Sequence, residues 1–122
     1  MKFTLELPSA ITVRSVSATE ILIGNQVWSE PVALTGDGVL DDWTPAPIET
    51  LSIEDLAPLI ETNPELIVVG TGSEQVLPNR ELMFAMARQG IGLEMMDTPA
   101  AARTFNVLIS EGRSVAAVLY LA

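Results

Sequence analysis

Few side chains in this chain are able to do chemistry, and the missing ones exclude most reaction types. There is no histidine and no cysteine among the 122 residues. A Ser-His-Asp triad, a thiol nucleophile and an ordinary zinc site are therefore ruled out. Catalysis would have to use carboxylates, hydroxyls, arginines, Lys2 or Tyr120. The last two are the only lysine and tyrosine, and both sit near the chain ends. Asp37, Asp41 and Asp42 share one glycine-bearing stretch, but they lack the alternating ligands and terminal glutamate of a calcium loop. A solvated acidic loop is expected there, with no metal. Glu94 and Asp97 are of the types that form a glycosidase acid–base pair, yet nothing around them reads as a sugar cleft. No catalytic residue is assigned.

The segment LIVVGTGSEQVLPNR, residues 66–80, is where a phosphate loop would lie. A dinucleotide fingerprint needs three glycines and a helix that starts at once, so that its N-terminal dipole meets the pyrophosphate. Gly70 and Gly72 are present, but Gln75 stands at the third position and Glu74 brings a negative charge into the loop. The helix is expected only from about Pro78. Glu94 lies near the distance of a ribose-binding acid, which is mild support. No Gly-Lys-Ser/Thr run follows, so a P-loop is excluded, and no nucleotide cofactor is expected. The two glycines are read instead as allowing positive backbone angles where a buried strand leaves the sheet. Loops that follow parallel strands share one edge of an α/β sheet, the edge where ligands bind. That reasoning gathers Gly70, Thr71, Gly72 and Thr98 into a candidate ligand or partner site, with Arg103 and Asn106 one or two turns along the next helix.

The elements that position these residues follow from the apolar periodicity. Phe3–Leu7, Ile11–Ala18, Glu20–Gly24 and Gln26–Leu34 read as β-rich runs, with a Gly24-Asn25 hairpin turn. Residues 51–122 alternate helix and strand. Ser52-x-x-Asp55 imitates a capping box, Leu51 and Leu56 form a staple, and Pro58 should bend or shorten the helix. Pro78–Gln89 reads as a helix stopped at Gly90, with Leu82, Met83, Ala85 and Met86 as its apolar face. Thr98-Pro99 caps and starts a third helix, in which Ala101, Ala102, Phe105, Leu108 and Ile109 recur at helical spacing. Strands at Leu66–Val69, Ile91–Met96 and Ser114–Leu121 joined by helices imply a parallel core. The expected fold is a single α/β domain over 1–122, mainly β over 1–50, with the N-terminal antiparallel strands as an extra layer.

Composition bounds the function class. The chain is 48% hydrophobic and 18% charged, a globular rather than a disordered balance. The formal net charge is −10, and it is lopsided. Residues 1–65 carry eleven acids against Lys2 and Arg14, whereas residues 66–122 carry five against four arginines. Binding to nucleic acid or to an anionic membrane surface through a basic patch is not expected. No apolar run approaches the length of a membrane span, and MKFTLELPSA alternates like a strand rather than a secretory signal. Cytoplasmic residence and no direct membrane insertion are the expectations.

The strings GLEMMDTPAAARTFNVLISEGRSVAAVLYLA, LIVVGTG and ILIGNQVWSEPVALTGDGVLDDW together cover nearly the whole chain. They closely resemble a small domain family that includes a mitochondrial respiratory complex I assembly factor and an adipogenesis-associated domain protein. Glu94, Thr98, Ala101, Arg103, Thr104, Asn106, Glu111 and Arg113 fall where that family's pattern has them. The resemblance implies a compact three-layer β/β/α domain with a mixed sheet and helices on one side. Ala102 and Phe105 stand where many members carry a cysteine and a tyrosine, so a thiol-based role could not operate here. By analogy, the expected function is a non-catalytic protein-interaction or assembly-factor-like domain with a protein partner in a membrane-associated complex. The alternative is a small-molecule binder or unrecognised enzyme using the Gly70–Thr98 edge. Homo-oligomerisation is left open.

Overall fold

The computed structural model describes residues 11–122. The strand expected over Phe3–Leu7, and Lys2, lie outside the described residues. In chain order the elements are β1 Val13–Val16, β2 Ile21–Ile23, β3 Gln26–Trp28, β4 Val32–Thr35 and β5 Gly38–Val39. A 3-10 turn at Ile48–Thr50 follows, then α1 Ala57–Ile60, β6 Leu66–Gly70, α2 Arg80–Gln89, β7 Gly92–Met96, α3 Thr98–Ser110 and β8 Val115–Leu119. Strands β1-β2-β3 make an antiparallel sheet, and β5-β4-β8-β6-β7 make a mixed one. The β-rich run expected over Gln26–Leu34 divides at Ser29-Glu30-Pro31. Its first part closes the small sheet and its second, β4, pairs antiparallel with β8 in the large one. Proline cannot donate to a ladder, so the break falls where the chain changes sheet.

The parallel core is as expected, with β6 between β7 and β8. Its connectivity fixes the layering. The chain steps from β6 to β7 through α2, then returns across β6 to β8 through α3. Right-handed crossovers taken in opposite directions put their helices on opposite faces. Packing agrees: Val68 joins Ala101, Ala102 and Phe105 of α3 together with the small sheet. Ile67 and Val69 join Leu82 and Met86 of α2 with Leu56 and Leu59. Helices therefore lie on both faces, where the resemblance implied one side. Strand β8, VAAVL, is buried throughout, because it has a neighbour on each edge and a layer on each face. Ala116 and Ala117 point to opposite layers and are small enough to let both approach.

Three local expectations are corrected. Helix α2 starts at Arg80, two residues past the expected Pro78, and Asn79 caps it, its side chain accepting from Leu82 N at 2.8 Å. On α2 only Leu82 and Met86 are buried; Met83 is 51% exposed because it lies about 100° around the helix from Leu82. The Ser52–Asp55 box forms, with Ser52 N donating to Asp55 Oδ2 at 2.9 Å and Asp55 N to Ser52 Oγ at 3.3 Å. The helix proper begins later, at Ala57, with Pro58 in its first turn, where a missing donor costs nothing.

Candidate functional site

Asp97 ends β7 and caps α3, its Oδ1 accepting from Ala100 N at 2.8 Å. The sequence reading gave that task to Thr98. Relieved of it, Thr98 turns its hydroxyl inward. Its Oγ1 accepts from Gly72 N at 2.8 Å and donates to Tyr120 O at 2.7 Å, while its own N donates to Gly72 O at 2.8 Å. One fully buried hydroxyl thus joins the ends of β6, β7 and β8. Thr71 works alongside it. Its N donates to Met96 O, its Oγ1 donates to Glu74 O at 2.6 Å, and the same Oγ1 accepts from Val76 N at 3.1 Å.

The four residues expected at the strand ends are therefore brought together, but facing one another. The amides of Thr71 and Gly72 are both engaged inside the domain and cannot cradle an anion as they stand. The two glycines differ in purpose. Gly72 has φ +109°, the positive angle anticipated for the turn. Gly70 does not need one; a Cβ there would meet the Thr98 backbone at 2.9 Å and Ala101 Cβ at 3.1 Å. Gly70 is what lets α3 sit directly on β6.

Asn106 and Arg103 diverge from this cluster. Asn106 lies eight residues beyond Thr98, about 12 Å along the helix axis. Its amide clasps Val13, with Val13 N donating to Oδ1 and Nδ2 donating to Val13 O, both at 2.9 Å. Those two backbone groups lie on the edge of β1 away from β2, which pairs with no other described strand, so Asn106 ties that edge to α3. Arg103 is exposed and has no hydrogen bond or ion pair to another described residue. It borders a shallow hollow of about 240 Å³ with Thr104, Val107 and Leu108. Elsewhere in the resembling pattern, Arg113 pairs with Glu65 at 2.6 Å on the surface.

Sequence reasoning missed a groove of about 690 Å³ between residues 49–54 and α2. Leu51, Ile53, Leu82 and Ala85 give it an apolar lining, and Phe84, 56% exposed, carries that surface outwards. The one signal in the sequence was Phe84 itself, off the Leu82–Met86 stripe and so bound to face solvent. Among the described residues no three carboxylates converge into a set able to hold a metal ion. Tyr120, on the same side of the sheet, donates to Ala46 O at 2.6 Å. Burial, then Asp55 and Glu49, push its phenol up to about 12.

Known proteins place this architecture. The 13 kDa major membrane protein of Francisella tularensis subsp. holarctica (strain LVS) is 33% identical over 72 residues, 59% of this chain and 58% of that protein. NADH dehydrogenase (ubiquinone) 1 alpha subcomplex assembly factor 3 of Rattus norvegicus is 33% identical over 117 residues, 93% of this chain and 62% of that protein. The chain thus spans roughly three fifths of the length of these relatives. A crystal structure of a Bordetella parapertussis protein superposes with TM-score 0.84 at 29% identity, covering 96% of this chain and all of that one. Residues 13–120 also match the family described as Protein of unknown function (DUF498/DUF598). Because that match runs from the first residue of β1 past the end of β8, through both sheets and all three helices, the chain belongs to the DUF498/DUF598 family.

Proposed function

We propose that this domain is a non-catalytic interaction module that helps assemble or mature a larger, membrane-associated complex from the cytoplasmic side. The observation that carries this reading is the similarity, across 93% of the chain, to a protein named as a complex I assembly factor. The site geometry supports it in two ways. The Gly70–Thr98 edge, where a small ligand or substrate would have been held, spends its amides and hydroxyls on internal hydrogen bonds. The outer surface instead offers exposed Leu77, Met83, Phe84 and Val107, side chains suited to a protein contact. Arg103, with no partner among the described residues, is the member of the expected site left to meet a carboxylate of such a protein.

The test is deletion of the gene in its host, followed by native electrophoresis of the membrane complexes. Accumulation of partly assembled species with loss of a mature complex, reversed by the wild-type gene, is the expected result. Complementation by Arg103→Ala should be weaker than by wild type. Unchanged levels of every mature complex in the deletion strain would refute the reading.

A further inference from the structure

The groove between residues 49–54 and α2 has a charge pattern as well as a shape. Glu49 and Glu54 stand on one wall and Glu81 on the other, against a single guanidinium, Arg88. All three glutamates are exposed, and among the described residues none has a cation within 4 Å, the one ion pair being Arg113–Glu65. Between these carboxylates Ile53, Ala85 and Phe84 supply an apolar strip, beside the polar Thr50, Ser52 and Asn79. The walls are fixed. Asn79 Nδ2 donates to Leu51 O at 3.1 Å while its Oδ1 caps α2, so one side chain sets the spacing between turn and helix. The Ser52–Asp55 box rigidifies the opposite wall. A preformed cleft loses less conformational entropy on binding than one that must be assembled.

We propose that this groove seats a basic amphipathic segment of a partner protein, with an apolar side chain on Ile53, Ala85 and Phe84 and lysines or arginines meeting Glu49, Glu54 and Glu81. The inference rests on the interaction-module reading and specifies where and what such a module would hold. Charge complementarity selects the class of occupant. Unpaired acids along an apolar trough favour a cationic segment and repel an acidic one of equal hydrophobicity. The groove is open, so a segment can lie along it with its outer face in water, as an amphipathic helix lies in a hydrophobic groove.

The test is a titration of the isotopically labelled full chain with a synthetic 18-residue helical peptide of leucine and lysine, followed by amide chemical shifts. A leucine–glutamate peptide of the same pattern is the charge control. Shifts should concentrate at residues 49–54 and 79–88, and the acidic peptide should cause none there. The triple variant Glu49→Gln, Glu54→Gln, Glu81→Gln should weaken binding about tenfold or more, and Phe84→Ser comparably. The triple Glu20→Gln, Glu30→Gln, Glu111→Gln makes the same change in net charge away from the groove and should leave affinity within twofold. Equal weakening by both triples would mean attraction to the acidic protein as a whole and would overturn the proposal. So would shifts centred elsewhere. In the host, full complementation of the deletion by the groove triple would overturn the groove and leave the assembly role standing. A deletion without effect would instead refute the assembly role, and the peptide titration would still decide the groove.

Discussion

Replacing Thr98 by valine keeps the shape of the side chain and removes only the hydroxyl, which makes it a direct measure of the junction among β6, β7 and β8. Thr98 is fully buried, and its Oγ1 serves Gly72 N at 2.8 Å and Tyr120 O at 2.7 Å. Valine leaves a donor and an acceptor without that partner, each worth about 1–3 kcal/mol. The extra buried methyl returns about 0.8 kcal/mol, so a net loss of about 1–5 kcal/mol is expected. Unfolding entropy near 2.1 cal/mol/K per residue gives about 0.26 kcal/mol/K for a chain of 122 residues. The melting temperature should therefore fall by about 5–20 °C. Thr98→Ser keeps both bonds and gives up one methyl, at about 1 kcal/mol or about 4 °C. Calorimetry measures both variants, and hydrogen exchange should show the Gly72 amide losing protection in the valine variant alone. If Thr98→Val melts within about 2 °C of the parent, or Thr98→Ser is the worse of the two, the hydroxyl does not hold the junction.

Gly72→Val should cost about 1–3 kcal/mol by thermal melting, since a β-branched residue is strained at φ +109°; parent-like melting would refute the turn geometry. Asn106→Ala should cost about 1–3 kcal/mol and expose the Val13 amide to exchange, whereas unchanged protection there would show that α3 does not seal β1. Arg103→Ala should change stability by no more than about 0.5 kcal/mol, because the side chain has no partner to lose within the described residues. Tyr120 predicts an alkaline limit. Its folded-state pKa is raised from 10.0 to about 12, so the fold favours the neutral phenol, and this contribution is complete below pH 10 and lost as pH rises towards 12. As the only tyrosine, it can be followed by tyrosinate absorbance, and Tyr120→Phe should flatten the fall in melting temperature over that window.

The sequence by itself determined the fold class and excluded most chemistry. Absent histidine and cysteine, no fold could supply a thiol or an imidazole. The switch in apolar period near residue 50 was enough to predict antiparallel strands followed by a parallel core, since side-chain period is a local property of each element. The spacing Gly-Thr-Gly and the missing third glycine were also local, and Gly72 has the positive angle they required. Which way the polar groups of that loop would point was decided by tertiary structure. Thr98 reads as a helix cap until Asp97 takes the role, and its hydroxyl is then aimed into the sheet by contacts from Gly72 and Tyr120, 26 and 22 residues away. Asn106 reads as a binding amide until β1, 93 residues distant in sequence, presents the backbone of Val13 to it. The groove was invisible for the same reason: its walls, residues 49–54 and α2, are separated by α1, β6 and a loop, and only the packing of both on one face of the mixed sheet sets Glu54 opposite Glu81. Hydrogen-bond partners and cavity walls are relations between segments, and no one-dimensional pattern in either segment records them.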